Sequence, residues 1–186
     1  MQNWKSSIAA SGFGKPACCP PATGAEIDRL EDALQSTLPA ELRSLLLQTN
    51  GVREERGSAA APNAGAAPEL SWILDAQGIL DYNREVRDEN SAYRYMDPDD
   101  KTGEQPIEDF LVFSNIPGNG DLYAICLFPI DGFRSGEIVL WDHDDNERIL
   151  AAPSLSAWIQ GWGSFDGGHE STDASGTPAP FTVGSS

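Results

Sequence analysis

Between Thr23 and Gly51 (TGAEIDRLEDALQSTLPAELRSLLLQTNG) apolar residues recur at three- and four-residue steps. That spacing gives a helix one apolar face. Ile27, Leu30, Leu34 and Leu38 form a first stripe, with Asp28, Arg29, Glu31 and Asp32 on the other side. Thr23 and Glu26 stand at the S/T-x-x-E spacing of a capping box, which satisfies two backbone amides at a helix start. Pro39 has no amide hydrogen to continue that helix, but it suits the first turn of another. Leu42, Leu45, Leu46 and Thr49 make the next stripe, and Asn50-Gly51 supplies the left-handed residue that ends many helices. The pattern predicts a helical hairpin.

Farther along, the period changes. Leu70 to Leu74 is a short strand candidate, and Ile79 to Glu89 predicts a helix with Ile79, Tyr82, Asn83 and Val86 on one side. Phe110–Ser114, Leu122–Phe128 and Glu137–Trp141 are apolar runs separated by Gly, Pro, Asn and Asp, the mark of an antiparallel meander. Glu147–Ala151 adds a fourth short strand. Ser154 then caps a closing helix with Leu155, Trp158, Ile159 and Trp162 at core spacing. Helices on either side of a run of antiparallel strands predict an α+β fold with helices covering the sheet. Residues 1–22 form an N-terminal arm, a short helix and an extended piece with Trp4 and Ile8 as anchors. Residues 53–68 (REERGSAAAPNAGAAP) are a low-complexity loop. Residues 163–186, rich in Gly, Ser and Thr, are expected to be a disordered tail.

Composition narrows the function classes. The chain has 186 residues, of which 40% are hydrophobic, enough for one domain and its tails. No apolar run approaches the roughly 20 residues that cross a membrane, and the N-terminus lacks the apolar segment of a secretory signal. A cytoplasmic protein is expected. Net charge is −17, and residues 51–150 alone carry 21 acidic and 8 basic side chains, a net of −13. A nucleic-acid binder needs the opposite sign to displace counterions. Acidity permits steering toward a basic partner or serves solubility alone. Cys18, Cys19 and Cys126 are an odd set with no zinc-type spacing. His143 and His169 are the only histidines, and no nucleophile-elbow, zincin or phosphate-loop motif is present. No catalytic residue, metal or cofactor is expected.

Three blocks in order resemble the SUKH superfamily, whose founding member is the yeast cell-wall assembly regulator. The first runs from Glu26-Ile27 through Glu31, Leu38-Pro39 and Leu42–Leu46 to Asn50-Gly51. The second is FSNIPGNGDLYAICL, with Gly120-Asp121 between strands. The third is GEIVLWDHDDNERILAAPSLSAWI, with Gly136, Val139, Trp141, Asp142, His143 and Asp144. The resemblance covers residues 23–162. It implies a single α+β domain that binds other proteins and carries no catalytic residues. Bacterial members are often immunity proteins that block a secreted toxin by contact, and many such toxins are basic nucleases. Fungal members are regulatory scaffolds. The implied partner is therefore a protein, foremost a basic toxin domain, rather than a nucleic acid or a membrane.

Two acidic groups are candidate partner contacts. One is the turn Asp142, His143, Asp144, Asp145 and Glu147; the other is Asp97, Asp99 and Asp100. The first lacks the Gly and the alternating ligands of a calcium loop, so it reads as a charged turn or part of a binding surface. Asp121 follows a turn-forming pair and suits holding that turn. A small-ligand reading instead places a pocket near Trp72, Asp121 and Trp141. The helical hairpin is expected to pack on the sheet, leaving function to the acidic loops and turns.

Overall fold

The computed structural model describes residues 2–12, 15–54, 71–88, 109–115, 121–130, 132–142 and 148–161. Trp4 and Ile8 stand one turn apart in helix α1 (Trp4–Ala9) and are both buried. Asn3 caps that helix by accepting the Ser6 amide. The chain then extends into β1 (Pro16–Cys18).

Helix α2 (Gly24–Leu34) opens on the predicted capping box. The Glu26 carboxylate accepts the Thr23 amide at 2.8 Å, and the Thr23 hydroxyl accepts the Glu26 amide at 3.2 Å. The Thr23 amide, and then the Thr23 hydroxyl donating to the same carboxylate at 2.7 Å, hold the Glu26 carboxyl below its ordinary pKa. Ile27, Leu30 and Leu34 face the core as the periodicity requires. Leu38 is buried too, but outside the helix, because Gln35 turns left-handed at φ 53° and ends it. Helix α3 (Ala40–Leu46) follows Pro39 and buries Leu42, Leu45 and Leu46.

Thr49, Asn50 and Gly51 come after the helix end and tie the chain after β1 to the start of α4. The single Thr49 hydroxyl proton lies between the carbonyls of Gly51 at 2.8 Å and Cys19 at 3.1 Å. The Asn50 side chain accepts the Ala76 amide at 2.8 Å. Gly51 has φ +92°, and a Cβ there would stand 3.0 Å from Asp75 N and Ile73 O. Only glycine fits that conformation and approach.

Strand β2 (Val52–Glu54) sits between β1 and β3 (Ser71–Ile73) in a three-stranded antiparallel sheet. Arg53 and Glu54, read from sequence as the start of a loop, therefore belong to a strand. Asp75 caps α4 (Ala76–Arg87) by accepting the Gly78 amide, so this helix starts earlier than its apolar spacing suggests. Strands β4 (Phe110–Asn115), β5 (Leu122–Cys126), β6 (Ile138–Trp141) and β7 (Arg148–Ala152) form the predicted meander, with neighbours antiparallel. Among the described residues, hydrogen bonds that link the sheets include Leu74 N–H to Phe113 C=O at 2.9 Å and the Ser114 hydroxyl to Trp72 C=O at 2.6 Å.

Helix α4 covers β4 through buried Asn83. Its amide donates to the carbonyls of Ile79 and Val112, each at 2.7 Å, while its oxygen accepts the Val112 amide at 3.0 Å. Helix α5 (Leu155–Gly161) closes the fold, with Trp158 edge-on to Phe113 and Tyr123 at 4.9 and 5.1 Å. Glu41 in α3 accepts the Leu155 amide at 3.0 Å and the Ser156 amide at 3.4 Å, so one helix caps the other. Gln2 donates to Ser156 at 2.8 Å. Buried residues from Trp4 to Ile159 form one core cluster in a single α+β domain.

Candidate functional site

The register of the meander fixes where the sequence candidates fall. Leu122 pairs with Trp141, so Asp121 and Asp142 continue the same two strands at one end of the sheet. Trp72, on β3, reaches that end through its carbonyl bond to Ser114. Asn115, paired with Leu122, donates to the Tyr82 hydroxyl at 2.6 Å. Trp72, Asp121 and Asp142 are part-exposed, whereas Trp141 is buried. The Arg148 guanidinium stacks over the Trp141 ring at 4.9 Å and over Phe110 at 5.2 Å. Trp141 is thus a packed, cation-covered aromatic. Asp121 helps to keep the buried Tyr123 phenol protonated: burial is the main cause of its raised pKa, and the nearby carboxylate adds to it. Asp97, Asp99, Asp100, His143, Asp144, Asp145 and Glu147 lie outside the described residues.

That division changes the charge picture. The described residues carry nine basic and fourteen acidic side chains, a net of −5 out of the whole chain's −17. Most of the net charge therefore belongs to the segments outside them. Among the described residues, no group of three or more His, Cys, Asp or Glu side chains is placed to hold a metal ion. No described helix is long and apolar enough to cross a membrane.

At the opposite end of β5, the fold leaves a cleft of about 500 Å³. Three chain segments build it. The first is the α2–α3 link, where the left-handed turn at Gln35 releases Ser36, Thr37, Leu38 and Pro39 from the helix. The second is the β5–β6 connection. After Cys126 the chain passes Leu127 and Phe128, turns at an Ile130–Phe133 bridge, and returns through Ser135 and Gly136. Gly132 and Gly136 both take φ +89°, which lets this turn close. The third is Pro153–Leu155 at the start of α5. Glu41 stands in the wall, fastened to that helix start.

The cleft lining mixes polar and apolar side chains, and carboxylates stand around it. Ile125 and Leu155 are buried at its base, while Phe128 projects with 57% of its surface exposed. The buried Cys126 thiol donates to the Phe128 carbonyl at 2.9 Å. Its pKa is raised, first by burial and then by the carboxylates of Asp109 and Glu137. Glu31 accepts the Leu38 amide at 2.9 Å, and Glu137 accepts the Arg134 amide at 2.7 Å. Sequence reasoning did not single out this cleft. Its visible traces were Leu38-Pro39 in the hairpin and Phe128-Pro129 just past a strand end, each also a routine turn signal.

No curated protein matches the chain significantly. The sequence profile of the SMI1 / KNR4 family (SUKH-1) matches residues 21–161, from just before α2 to the end of α5. That span holds the helical hairpin, the meander and the closing helix in the order expected from the three sequence blocks. The chain belongs to the SMI1 / KNR4 family (SUKH-1).

Proposed function

We propose that this chain is a non-catalytic protein-binding module that neutralises a basic toxin domain by covering the toxin's working surface. Family membership carries the reading, because bacterial proteins of the SUKH superfamily are often immunity proteins made beside a toxin. The net charge of −17 supports it, since opposite charge accelerates capture and penalises wrong partners. The non-enzyme reading likewise rests on the family, to which no catalytic residues are attached.

The test is co-expression with the toxin-like protein of a neighbouring gene. Survival that depends on this chain is expected, together with a complex that weakens as salt rises. Equal killing with and without it refutes the immunity role. The family's fungal regulators give a second reading, a scaffold without a toxin; retrieval of a defined housekeeping complex by tagged protein, with no toxin gene nearby, favours it.

A further inference from the structure

We propose that the cleft between the α2–α3 link, the β5–β6 turn and the start of α5 is the docking groove for a basic segment of a protein partner that carries an apolar anchor. The inference rests on the protein-binding reading and names the face and the chemistry that reading leaves open. Its volume of about 500 Å³ lies within the roughly 300–1,000 Å³ typical of ligand clefts. Within its mixed lining, buried Ile125 and Leu155 and the exposed Phe128 offer apolar contact to an inserted side chain. Aromatic anchors in such central pockets dominate binding energies at interfaces.

Charge selects the occupant. Glu41 lines the groove, Glu31 bonds Leu38 in its wall, and Glu137 adjoins Gly136. Asp109 holds the Leu127 amide through its own carbonyl. Among the described residues, Arg134 and Arg43 are cations beside these carboxylates, and Arg43 stands 3.7 Å from both Asp28 and Glu31. Three of the carboxylates are held by backbone amides: Glu31 by Leu38, Glu41 by Leu155 and Glu137 by Arg134. An amide fixes the position of a carboxylate without cancelling its charge. With Glu41 in the wall and Glu31 and Glu137 fixed beside it, the groove sets carboxylates next to apolar lining residues, which favours Lys or Arg beside an apolar side chain and disfavours an acidic segment.

The test uses the full chain and two synthetic peptides, Arg-Trp-Leu-Arg-Lys and its acidic counterpart Glu-Trp-Leu-Glu-Glu. Amide NMR shifts should move at Thr37, Phe128 and Ser154 with the basic peptide only. Phe128→Arg and Thr37→Arg should weaken that binding at least about tenfold, the equivalent of about 1.4 kcal/mol. Leu150→Arg is the control: Leu150 is 49% exposed on β7, and the strand register places it on the sheet face opposite Ile125. Unchanged melting temperatures establish that the substituted chains fold. Shifts elsewhere, no shifts, or equal binding of the acidic peptide overturn the proposal. With a cognate toxin in hand, protection that survives Phe128→Arg and Thr37→Arg overturns the groove while leaving the immunity role intact. Failure of the wild-type chain to protect refutes that role, and the peptide shifts still decide the groove.

Discussion

Replacing Asn83 with alanine removes the side chain that ties α4 to β4. Asn83 behaves as a one-residue strand: it gives to and takes from Val112, whose backbone faces away from β5 beyond the reach of the three-residue β3. The third bond, to Ile79, matters less because that carbonyl also serves the helix's own ladder. Truncation leaves the Val112 amide and carbonyl without their partner in a buried setting, at about 1–3 kcal/mol for each orphaned group. A loss of about 3 kcal/mol is the expected result, with both groups partly relaxing toward new partners. Against a total stability of about 5–15 kcal/mol this is a large fraction. Urea unfolding followed by tryptophan fluorescence should show the midpoint falling by about 1–2 M with the slope unchanged. Asn83→Asp sharpens the test. An ionised carboxylate there would face the Ile79 and Val112 carbonyls, so its folded pKa rises above the unfolded value. Its relative stability is then highest below the ordinary aspartate pKa and is lost as pH rises through the raised one. An alanine variant losing under about 1 kcal/mol would refute the assignment of this contact as a main tie.

Three further outcomes follow from backbone geometry and capping. Gly51→Ala should destabilise by about 2 kcal/mol or more, lowering the calorimetric midpoint by several degrees, because the new Cβ meets backbone of residues 73 and 75 at 3.0 Å. Gln35→Gly should do the reverse, adding about 0.5–1 kcal/mol in denaturant titration by relieving a left-handed non-glycine residue. Glu26→Gln should narrow the stability gap to wild type only in acid. The Glu26 pKa is lowered by its Thr23 hydrogen bonds, so its contribution is full above the ordinary glutamate pKa and vanishes as pH falls through the lowered value. A gap that persists unchanged at the acid end contradicts that cause.

The meander was legible because its strands are apolar runs separated by turn residues, and every residue of β5 is buried. The hairpin was legible because α2 displays its stripe and cap side by side. Strands β1 and β2 were not, since three residues are too few to show a period and they pair only after distant chain segments meet. Leu38 misled by continuing the helical spacing beyond the point where Gln35 breaks it. The start of α4 was hidden because Gly78 looks like a breaker, yet its amide is what Asp75 caps. The cleft was illegible for a different reason. Thr37, Phe128, Ser135 and Ser154 are unremarkable in their own segments and become neighbours only when those segments fold together.

The bond from Glu41 to the Leu155 amide spans 114 positions along the chain, and that from Gln2 to Ser156 spans 154. During synthesis, the hairpin and α1 must wait for α5 to leave the ribosome. Until then Glu41 has no amide to hold, and the Trp158 side of the core stays open to water. Native closure therefore occurs late, after the entropy of a long loop has been overcome. A chain stopped before Pro153 lacks the Trp158 side of the core and the amides that Glu41 holds, so it cannot close the domain.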